Sequence, residues 1–191
     1  MPAIVIIGAQ WGDEGKGKIV DHLAERASMV VRYQGGNNAG HTVVIGNTVF
    51  KLHQVPSGIT RPHVAAVLGN GMVINPPSLV EELDTLEGMG ISTKNLHISA
   101  NAHLVMPYHI LLDDLEEKAR GAQALGTTKR GIGPAYTDKA ARRGLRVQDL
   151  IDADRFAESA GIALEHINAI LTRVYDHAPM TVEEIVSQYR P

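Results

Sequence analysis

A glycine-rich segment near the start of the chain has the residue types and spacing of a phosphate-binding loop. Residues 12–18 read GDEGKGK and fit the pattern G-x-x-x-x-G-K. Glycines let backbone N–H groups converge on a phosphate, and a helix that begins there adds partial positive charge. The next residue is Ile19, where the standard motif has a magnesium-binding Ser or Thr. Asp13 and Glu14 lie inside the cradle, and a carboxylate beside phosphate requires a metal ion or a proton to take up.

The alternative for this segment is a solvated surface loop that merely resembles a phosphate site. Phosphate binding is favoured because the segment lies between a predicted strand and a predicted helix and contains two lysines, Lys16 and Lys18. Asp13 therefore needs a special role, because its charge would otherwise repel the ligand.

A second set of residues suited to binding follows the next predicted strand. Residues 35–42 read GGNNAGHT and offer glycines for close backbone approach, amide side chains for hydrogen bonds and one imidazole, His41. Ligands of open α/β sheets bind beyond the carboxyl ends of strands, so this loop is expected beside the first one. A loop histidine alone is a weak signal, and the other histidines, including His22, His53 and His109, are interpreted as ordinary polar residues.

Hydrophobic patterns place these loops between strands and helices. The predicted strands are short apolar runs at residues 3–7, 29–33, 64–68 and 96–99, together with a hairpin of residues 42–45 and 48–52 around Gly46-Asn47. The predicted helices cover residues 16–27, 78 to 88 or 90, 106–120, 137–143, and two segments within 154–188 interrupted at Pro179. This alternation predicts an α/β fold with a mostly parallel sheet, helices on both faces and a helical C-terminal segment.

Length and composition narrow the class of protein. The 191 residues fit one domain, and 44% hydrophobic content is ordinary for a globular chain. The absence of cysteine excludes disulfides, thiolate metal sites and thiol nucleophiles, which suits a reducing cytosol. No apolar run reaches the roughly 18 residues of a membrane helix, and residues 3–7 lack the flanks of a signal peptide. A cytoplasmic protein is expected, and the helical ending without a returning strand predicts a truncated domain.

Positive charge is concentrated between Lys129 and Arg146, where six Lys or Arg residues accompany one acid, Asp138. This cluster is interpreted as a ligand-binding loop, a solvated basic face or a nucleic-acid surface. Nucleic acid ranks last, because the net charge is −3 and Tyr136 is the one aromatic residue in the cluster.

Four long blocks of the sequence closely resemble the adenylosuccinate synthetase family. They are GAQWGDEGKGK at residues 8–18, RYQGGNNAGHTV at 32–43, KLHQVPSGI at 51–59 and GTTKRGIGPAYTDKAARRGLRV at 126–147. The blocks follow the family's order almost without gaps, and the resemblance extends through essentially the whole chain. Family members are more than twice this long, so the resemblance implies the N-terminal portion of a larger enzyme.

The resemblance implies GTP-dependent ligation of L-aspartate to IMP, which yields adenylosuccinate, GDP and phosphate, the first committed step of AMP synthesis from IMP. It implies that Asp13 is the catalytic base and a ligand of Mg²⁺, and that Gly40 binds the same ion through its carbonyl. It also implies that His41 is the general acid at the transferring phosphoryl group and that Lys16 helps to cradle phosphate.

The same matching implies two sets of binding residues and a domain division. The GTP-binding set is Gly12, Asp13, Glu14, Gly15, Lys16, Gly17, Lys18, Gly40, His41 and Thr42. The IMP-binding set is Asp13, Glu14, Gly15, Lys16, Asn38, Ala39, Gly40, His41, Thr128 and Arg142. Arg142 reaches the partner subunit's site, which implies a homodimer. Within one domain of residues 1–191, residues 1–120 form the core with the nucleotide-binding loops, and residues 121–191 form the IMP-binding loop and helical segment.

Two alternatives remain open. One is a phosphate-loop NTPase or kinase-like protein, which the loop at residues 12–18 favours and Ile19 disfavours. The other is a non-catalytic, nucleotide-binding fragment, because the family's segments for guanine, aspartate and the rest of the IMP pocket come later in the chain. The fragment alone is therefore expected to be inactive. Neither a nucleic acid nor a membrane is expected as a partner.

Overall fold

The computed structural model describes residues 3–10, 15–45 and 48–189. Six strands and six α-helices lie within these ranges: β1 (Met29–Gly35), β2 (His41–Ile45), β3 (Thr48–Leu52), β4 (Ala65–Ile74), β5 (Leu96–Ile98), β6 (His103–Leu104), α1 (Lys16–Ala24), α2 (Pro76–Gly88), α3 (Pro107–Arg120), α4 (Ile132–Ala140), α5 (Ala153–Val174) and α6 (Val182–Tyr189). Short 3₁₀ helices occupy Ser57–Thr60, Gly121–Gln123 and Val147–Leu150. Residues 12–14 of the predicted phosphate loop and the hairpin turn at 46–47 lie outside the described ranges.

A parallel sheet built on the long strand β4 confirms the predicted α/β class. β1 pairs with β4 in parallel, and β5 and β6 pair in parallel with successive parts of β4. The sheet leaves no room for a side chain at Gly71, because a Cβ there would lie 2.1 Å from the carbonyl oxygen of Tyr33. β2 and β3 form a separate antiparallel pair, from His41 opposite Leu52 to Ile45 opposite Thr48, as the hairpin pattern predicts.

Three apolar clusters of described residues hold the elements together, and the smallest consists of Val73, Val105 and Ala135. The first packs β4 against α2 and the segment that follows β3, and its buried members include Leu68, Ile74, Leu79, Leu86 and Ile59. The second joins α3, α5 and α6, and α5 contributes residues at helical spacing, namely Phe156, Ala160, Leu164, Ile167 and Leu171. The carboxylate of Asp152 accepts hydrogen bonds from the backbone N–H groups of Asp154 and Arg155, both at 3.0 Å, which explains where α5 begins.

The predicted strand at residues 3–7 is wrong. The structure has no strand there, and Ile4, Val5 and Ile7 are 71%, 73% and 73% exposed. An apolar run predicts burial, but a buried strand also needs a ladder partner and covering layers, which none of the described segments supplies to it. The described edge strand β1 likewise leaves Met29 and Val31 exposed, at 55% and 46%.

Two helix positions and one strand also differ from the sequence predictions. α2 begins at Pro76 rather than near Ser78, because proline is tolerated in a first turn and the Asn75 side chain accepts from the N–H of Ser78 at 3.1 Å. The helix predicted at residues 137–143 lies instead at Ile132–Ala140, preceded by Gly131 in a left-handed conformation with φ 72°. β6 was not predicted, since two residues carry no alternation.

Glu82 should be a stabilising residue of this fold, although it is an acid on a helix. Its buried carboxylate accepts the backbone N–H groups of His53, Gln54 and Val55 at 2.8, 2.9 and 3.2 Å. Replacing Glu82 by Ala leaves buried donors unsatisfied and should lower the free energy of unfolding by about 3 kcal/mol. Urea denaturation measures this change. The matched control is Glu81→Ala on the exposed side of α2, expected within about 0.5 kcal/mol of the wild type, and equal effects of the two substitutions would contradict the prediction.

Candidate functional site

The phosphate-loop segment is described from Gly15 onward, and there it becomes a helix. Gly15 is the N-terminal cap of α1 with φ 79°, a left-handed conformation that favours glycine. Its carbonyl accepts the N–H groups of Lys18 and Ile19 at 3.0 and 3.3 Å. A helix therefore begins at Lys16, where the phosphate-loop pattern requires one. Gly12, Asp13 and Glu14 lie outside the described residues, so their predicted roles remain predictions.

His41 packs directly on the first turn of α1. A Cβ built on Gly17 would lie 3.0 Å from the Cβ of His41 and 3.3 Å from its Cδ2. A side chain at position 17 would crowd His41, so glycine allows the imidazole to pack against the backbone of α1. The structure thus brings His41 of the second predicted loop against Gly17 of the first, although the first loop does not follow a strand within the described residues.

The ring of His53, which the sequence pattern indicates only as an ordinary polar residue, lies against the backbone of Gly40. A Cβ on Gly40 would meet His53 Cε1 at 3.0 Å and Nδ1 at 3.2 Å. His53 Nδ1 is buried and makes no hydrogen bond within the described part of the chain. A cleft of about 260 Å³ opens beside it, with Lys51, Glu82 and Arg130 among its lining residues. The signal that could have found His53 is its place in the block KLHQVPSGI.

The Arg32 side chain connects the loop that starts at Gly36 to the segment at residues 53–54. Its Nη1 donates to the carbonyls of His53 and Gln54, the latter at 3.1 Å, and its Nη2 donates to the carbonyl of Gly36 at 2.8 Å. Because one guanidinium donates to both segments, it holds the loop that starts at Gly36 close to residues 53–54.

The electrostatic surroundings of His41 favour its neutral form. Burial, the positive charge of Arg32 and the electrostatic effect of His53, in decreasing order, together lower the pKa of His41 to about 4. The imidazole is therefore uncharged at neutral pH, with one ring N–H to donate. A negatively charged ligand beside it would raise this pKa, so the charge of His41 depends on what the site holds.

Thr128 belongs to a segment that contacts the loop containing Asn38. The Arg130 side chain donates from Nη1 to the carbonyl of Asn37 at 2.9 Å. Asn37 itself is buried, and its Oδ1 makes no hydrogen bond within the described residues. Asn38, Ala39 and Thr128 are exposed. The predicted IMP residues of both segments therefore lie on neighbouring loops joined by one hydrogen bond.

A tyrosine makes a second connection between these regions. The hydroxyl of Tyr136 accepts the N–H of Gly35 at 2.7 Å and donates to the carbonyl of Gly71 at 2.9 Å. Since Tyr136 lies on α4, this helix is tied to the end of β1, from which the loop containing Asn38 departs, and to Gly71 within β4. The aromatic residue of the basic cluster thus has a structural contact, which disfavours its use as a base-stacking platform.

Arg142 lies at the other end of α4 from Arg130 and is exposed, with φ 61°. A cleft of about 360 Å³ opens there, and Asp138, Arg143 and His166 are among the residues that line it with Arg142. Within one chain, Arg142 is therefore separated from Asn38 and Thr128 by the length of α4. The described residues contain no group of three or more His, Asp or Glu side chains that could hold a metal, and no helix among them is long and apolar enough to cross a membrane.

We expect His41 to titrate far below an ordinary histidine. Its NMR titration midpoint should lie near pH 4 rather than near 6.5. A folded-state pKa below the unfolded value means that the unfolded chain binds the proton first as the pH falls. The free energy of unfolding should therefore be constant above about pH 6.5 and decrease between 6.5 and 4, with His103, whose pKa burial also lowers to about 4, adding to the slope. A His41 midpoint near 6.5, assigned with His41→Asn, would refute this.

Comparison with known proteins identifies the family. The model of the adenylosuccinate synthetase family matches residues 5–191. The adenylosuccinate synthetase of Halothermothrix orenii is 57% identical over 97% of this chain, and that of Carboxydothermus hydrogenoformans is 56% identical over 99%. The match covers 44% of each relative, so the chain spans less than half of their length.

Solved structures agree with the sequence comparison. The fully ligated adenylosuccinate synthetase of Plasmodium falciparum matches with a TM-score of 0.82 and 37% identity, over 95% of this chain and 42% of that one. The succinoaminodeoxyadenylate synthetase of cyanophage S-2L, bound to dGMP and to dATP as energy donor, matches with a TM-score of 0.57 and 29% identity, over 86% of this chain and 46% of that one. The four sequence blocks, the parallel sheet and these matches together assign the chain to the adenylosuccinate synthetase family.

Proposed function

We propose that these residues form the N-terminal part of a GTP-dependent ligase that joins L-aspartate to IMP and releases adenylosuccinate, GDP and phosphate. The observation that carries the proposal is the packing of His41 against Gly17, at the start of α1, in a chain of this family. That contact puts a proton-donating ring beside a helix N-terminus with the phosphate-loop pattern.

The reaction proceeds in two stages. Asp13 takes the N1 proton of IMP, which makes O6 a nucleophile toward the γ-phosphate of GTP. The bond from the γ-phosphorus to GDP breaks as the bond to O6 forms, and 6-phosphoryl-IMP results. The amine of aspartate then adds at C6, loses its proton and displaces phosphate. The protein contributes mainly positioning and electrostatic stabilisation, because phosphoryl transfer leaves it little covalent chemistry to do.

His41 and Lys16 act on the transferring phosphoryl group. His41 donates its ring N–H to a phosphoryl oxygen, and the negative charge there raises the pKa of the ring from its value of about 4 in the absence of ligand. The ammonium group of Lys16, the first residue of α1, and the backbone N–H groups of Gly15 and Gly17 bind phosphate. Lys18 and Thr42 complete the GTP set.

Magnesium fits the oxygen donors proposed for it. The carboxylate of Asp13 and the backbone carbonyl of Gly40 are hard ligands of the kind that Mg²⁺ prefers, and Gly40 is exposed. When bound, the ion would neutralise charge between the carboxylate and the phosphates. This arrangement would explain why Asp13 lies in the phosphate loop, and why Ile19 can replace the magnesium-binding Ser or Thr of the standard motif.

IMP contacts come from both loops and from a second subunit. Asn38 and Thr128 bind IMP within one chain, supported by the Arg130 hydrogen bond between their loops. Arg142, exposed at the far end of α4, binds the IMP of the partner in a homodimer. A cytoplasmic location suits these soluble substrates and the cysteine-free sequence.

A second candidate is a phosphate-loop NTPase whose hydrolysis is indifferent to IMP. The start of α1 at Lys16 favours any phosphate site, and the residues of this segment alone do not separate the two candidates. The 191-residue chain by itself should be inactive under either proposal, because it spans 44% of its relatives.

The decisive measurement is GDP release by a complete chain, made by joining these residues to the remaining part of the Halothermothrix orenii relative. With GTP and magnesium present, release should require IMP and aspartate together, and Asp13→Ala should abolish it. The full-length relative serves as the positive control. Release without IMP would favour the NTPase, and wild-type turnover by Asp13→Ala would refute the assignment of the base.

Subunit mixing tests the role of Arg142. Asp13→Ala and Arg142→Ala homodimers should each be inactive, whereas an equimolar mixture should regain about a quarter of wild-type activity, since half of the dimers then contain one intact site. The measurement is turnover after subunit exchange. An inactive mixture whose exchange has been verified by mass spectrometry would contradict the shared site.

A further inference from the structure

The segment from residue 125 to residue 131, which we call the Thr128 loop, lies along one acidic side of α3. Three carboxylates of this helix, on Asp113, Asp114 and Glu117, each bond to a different part of the loop. Glu117 lies four residues after Asp113 and three after Asp114, the spacings at which helix side chains are neighbours. Their partners belong to the loop that contains the proposed IMP residue.

Glu117 holds the first half of the loop. Its buried carboxylate accepts the backbone N–H groups of Leu125, Gly126 and Thr127 at 3.1, 2.8 and 3.3 Å. Burial raises the pKa of Glu117, but the three amide hydrogen bonds and the charge of Arg120 together lower it more, so the net shift is downward. The side chain is therefore ionised at neutral pH and satisfies three consecutive donors that a loop would otherwise leave to water.

Asp113 and Asp114 hold the second half. Asp113 Oδ2 accepts the N–H of Gly131 at 2.9 Å, and Asp114 Oδ1 pairs with Lys129 Nζ at 2.8 Å. Lys129 has φ 53° and Gly131 has φ 72°, so the chain turns sharply on both sides of Arg130. A Cβ on Gly131 would lie 2.7 Å from the backbone of α3, which shows how closely the loop is seated on the helix.

Thr128 is the exposed residue between these two attachments. The amides before it are bound to Glu117, and the Lys129 side chain after it is bound to Asp114. The charge of Lys129 is thus directed toward α3. An anion at the loop would meet Thr128, while the neighbouring Arg130 reaches across to Asn37.

We propose that Asp113, Asp114 and Glu117 are positioning residues that hold Thr128 in its ligand-binding arrangement before IMP binds. This inference rests on the proposed role of Thr128 and extends it to residues that touch no substrate. Its physical content is preorganisation: a loop already ordered loses less conformational entropy when the ligand arrives.

Amide hydrogen exchange in the 191-residue chain, without any ligand, tests the holding of the loop. The N–H groups of residues 125–127 should exchange slowly in the wild type, and about tenfold faster in Glu117→Gln, because an amide cannot replace a charged acceptor of three bonds. The control is Glu116→Gln, on the same helix turn, which should leave these amides unchanged. Unprotected amides in the wild type, or equal effects of both substitutions, would overturn the proposal.

Steady-state kinetics of the complete chain described above tests the consequence for IMP. Glu117→Gln should raise the KM for IMP about tenfold and leave kcat within about twofold, since the loop must then be ordered at the expense of binding. Asp114→Asn, which weakens the surface ion pairs of Asp114 with Lys129 and Lys118 at little risk to folding, should change KM in the same direction and by less. A purely structural role predicts instead that activity and the urea midpoint fall together with KM unchanged, and that result would overturn positioning.

The two measurements separate this proposal from the function on which it rests. Hydrogen exchange requires no IMP, so faster exchange in Glu117→Gln together with IMP-independent GDP release would refute the ligase and leave the holding of the loop intact. Slow exchange that ignores Glu117, in a complete chain that does require IMP, would refute the positioning role and leave the ligase intact.

Discussion

The carboxylate of Glu82 binds three consecutive backbone amides, and the arrangement of the site loops depends on it. Those amides belong to His53, Gln54 and Val55, and the Gln54 side chain in turn exchanges two hydrogen bonds with the backbone of Asn75, at 3.0 and 2.9 Å. Asn75 caps α2, the helix that carries Glu82. The end of β4, the start of α2 and the segment after β3 are thereby locked together. The same hydrogen bonds hold the backbone of His53, whose ring packs against Gly40.

Carboxylates from helices recur in this fold as acceptors for the amides of long connections. Glu117 and Asp113 do for the Thr128 loop what Glu82 does for the segment at residues 53–55. Irregular segments cannot pair their N–H groups in a ladder, and burial makes an unpaired donor costly. An ionised carboxylate satisfies several donors at once, more strongly than a neutral acceptor. The cost is sensitivity to acid, because protonation removes the acceptor's charge.

Local patterns predicted most elements, whereas contacts between distant residues could not be predicted. The helix at Lys16, the strands at residues 29 and 65 and the hairpin follow from spacing and turn residues. The run at residues 3–7 failed because its burial depends on neighbours that spacing does not reveal. His53 was taken for an ordinary polar residue, and its contact with Gly40 depends on Glu82, which lies 29 positions further along the chain. The bond from Arg130 to Asn37 spans 93 positions.

The charges around His41 make its protonation state depend on the ligand. Arg32 directs its donors to the carbonyls of Gly36, His53 and Gln54, so it positions the loop without occupying the ligand's place, while its charge still acts on the ring. With burial, that charge favours a neutral imidazole. A phosphoryl group would act in the opposite direction and raise the pKa of His41, because its negative charge attracts the ring proton. Binding and protonation are therefore linked, and His41, in its proposed role as general acid, would gain its second proton when an anion lies beside it.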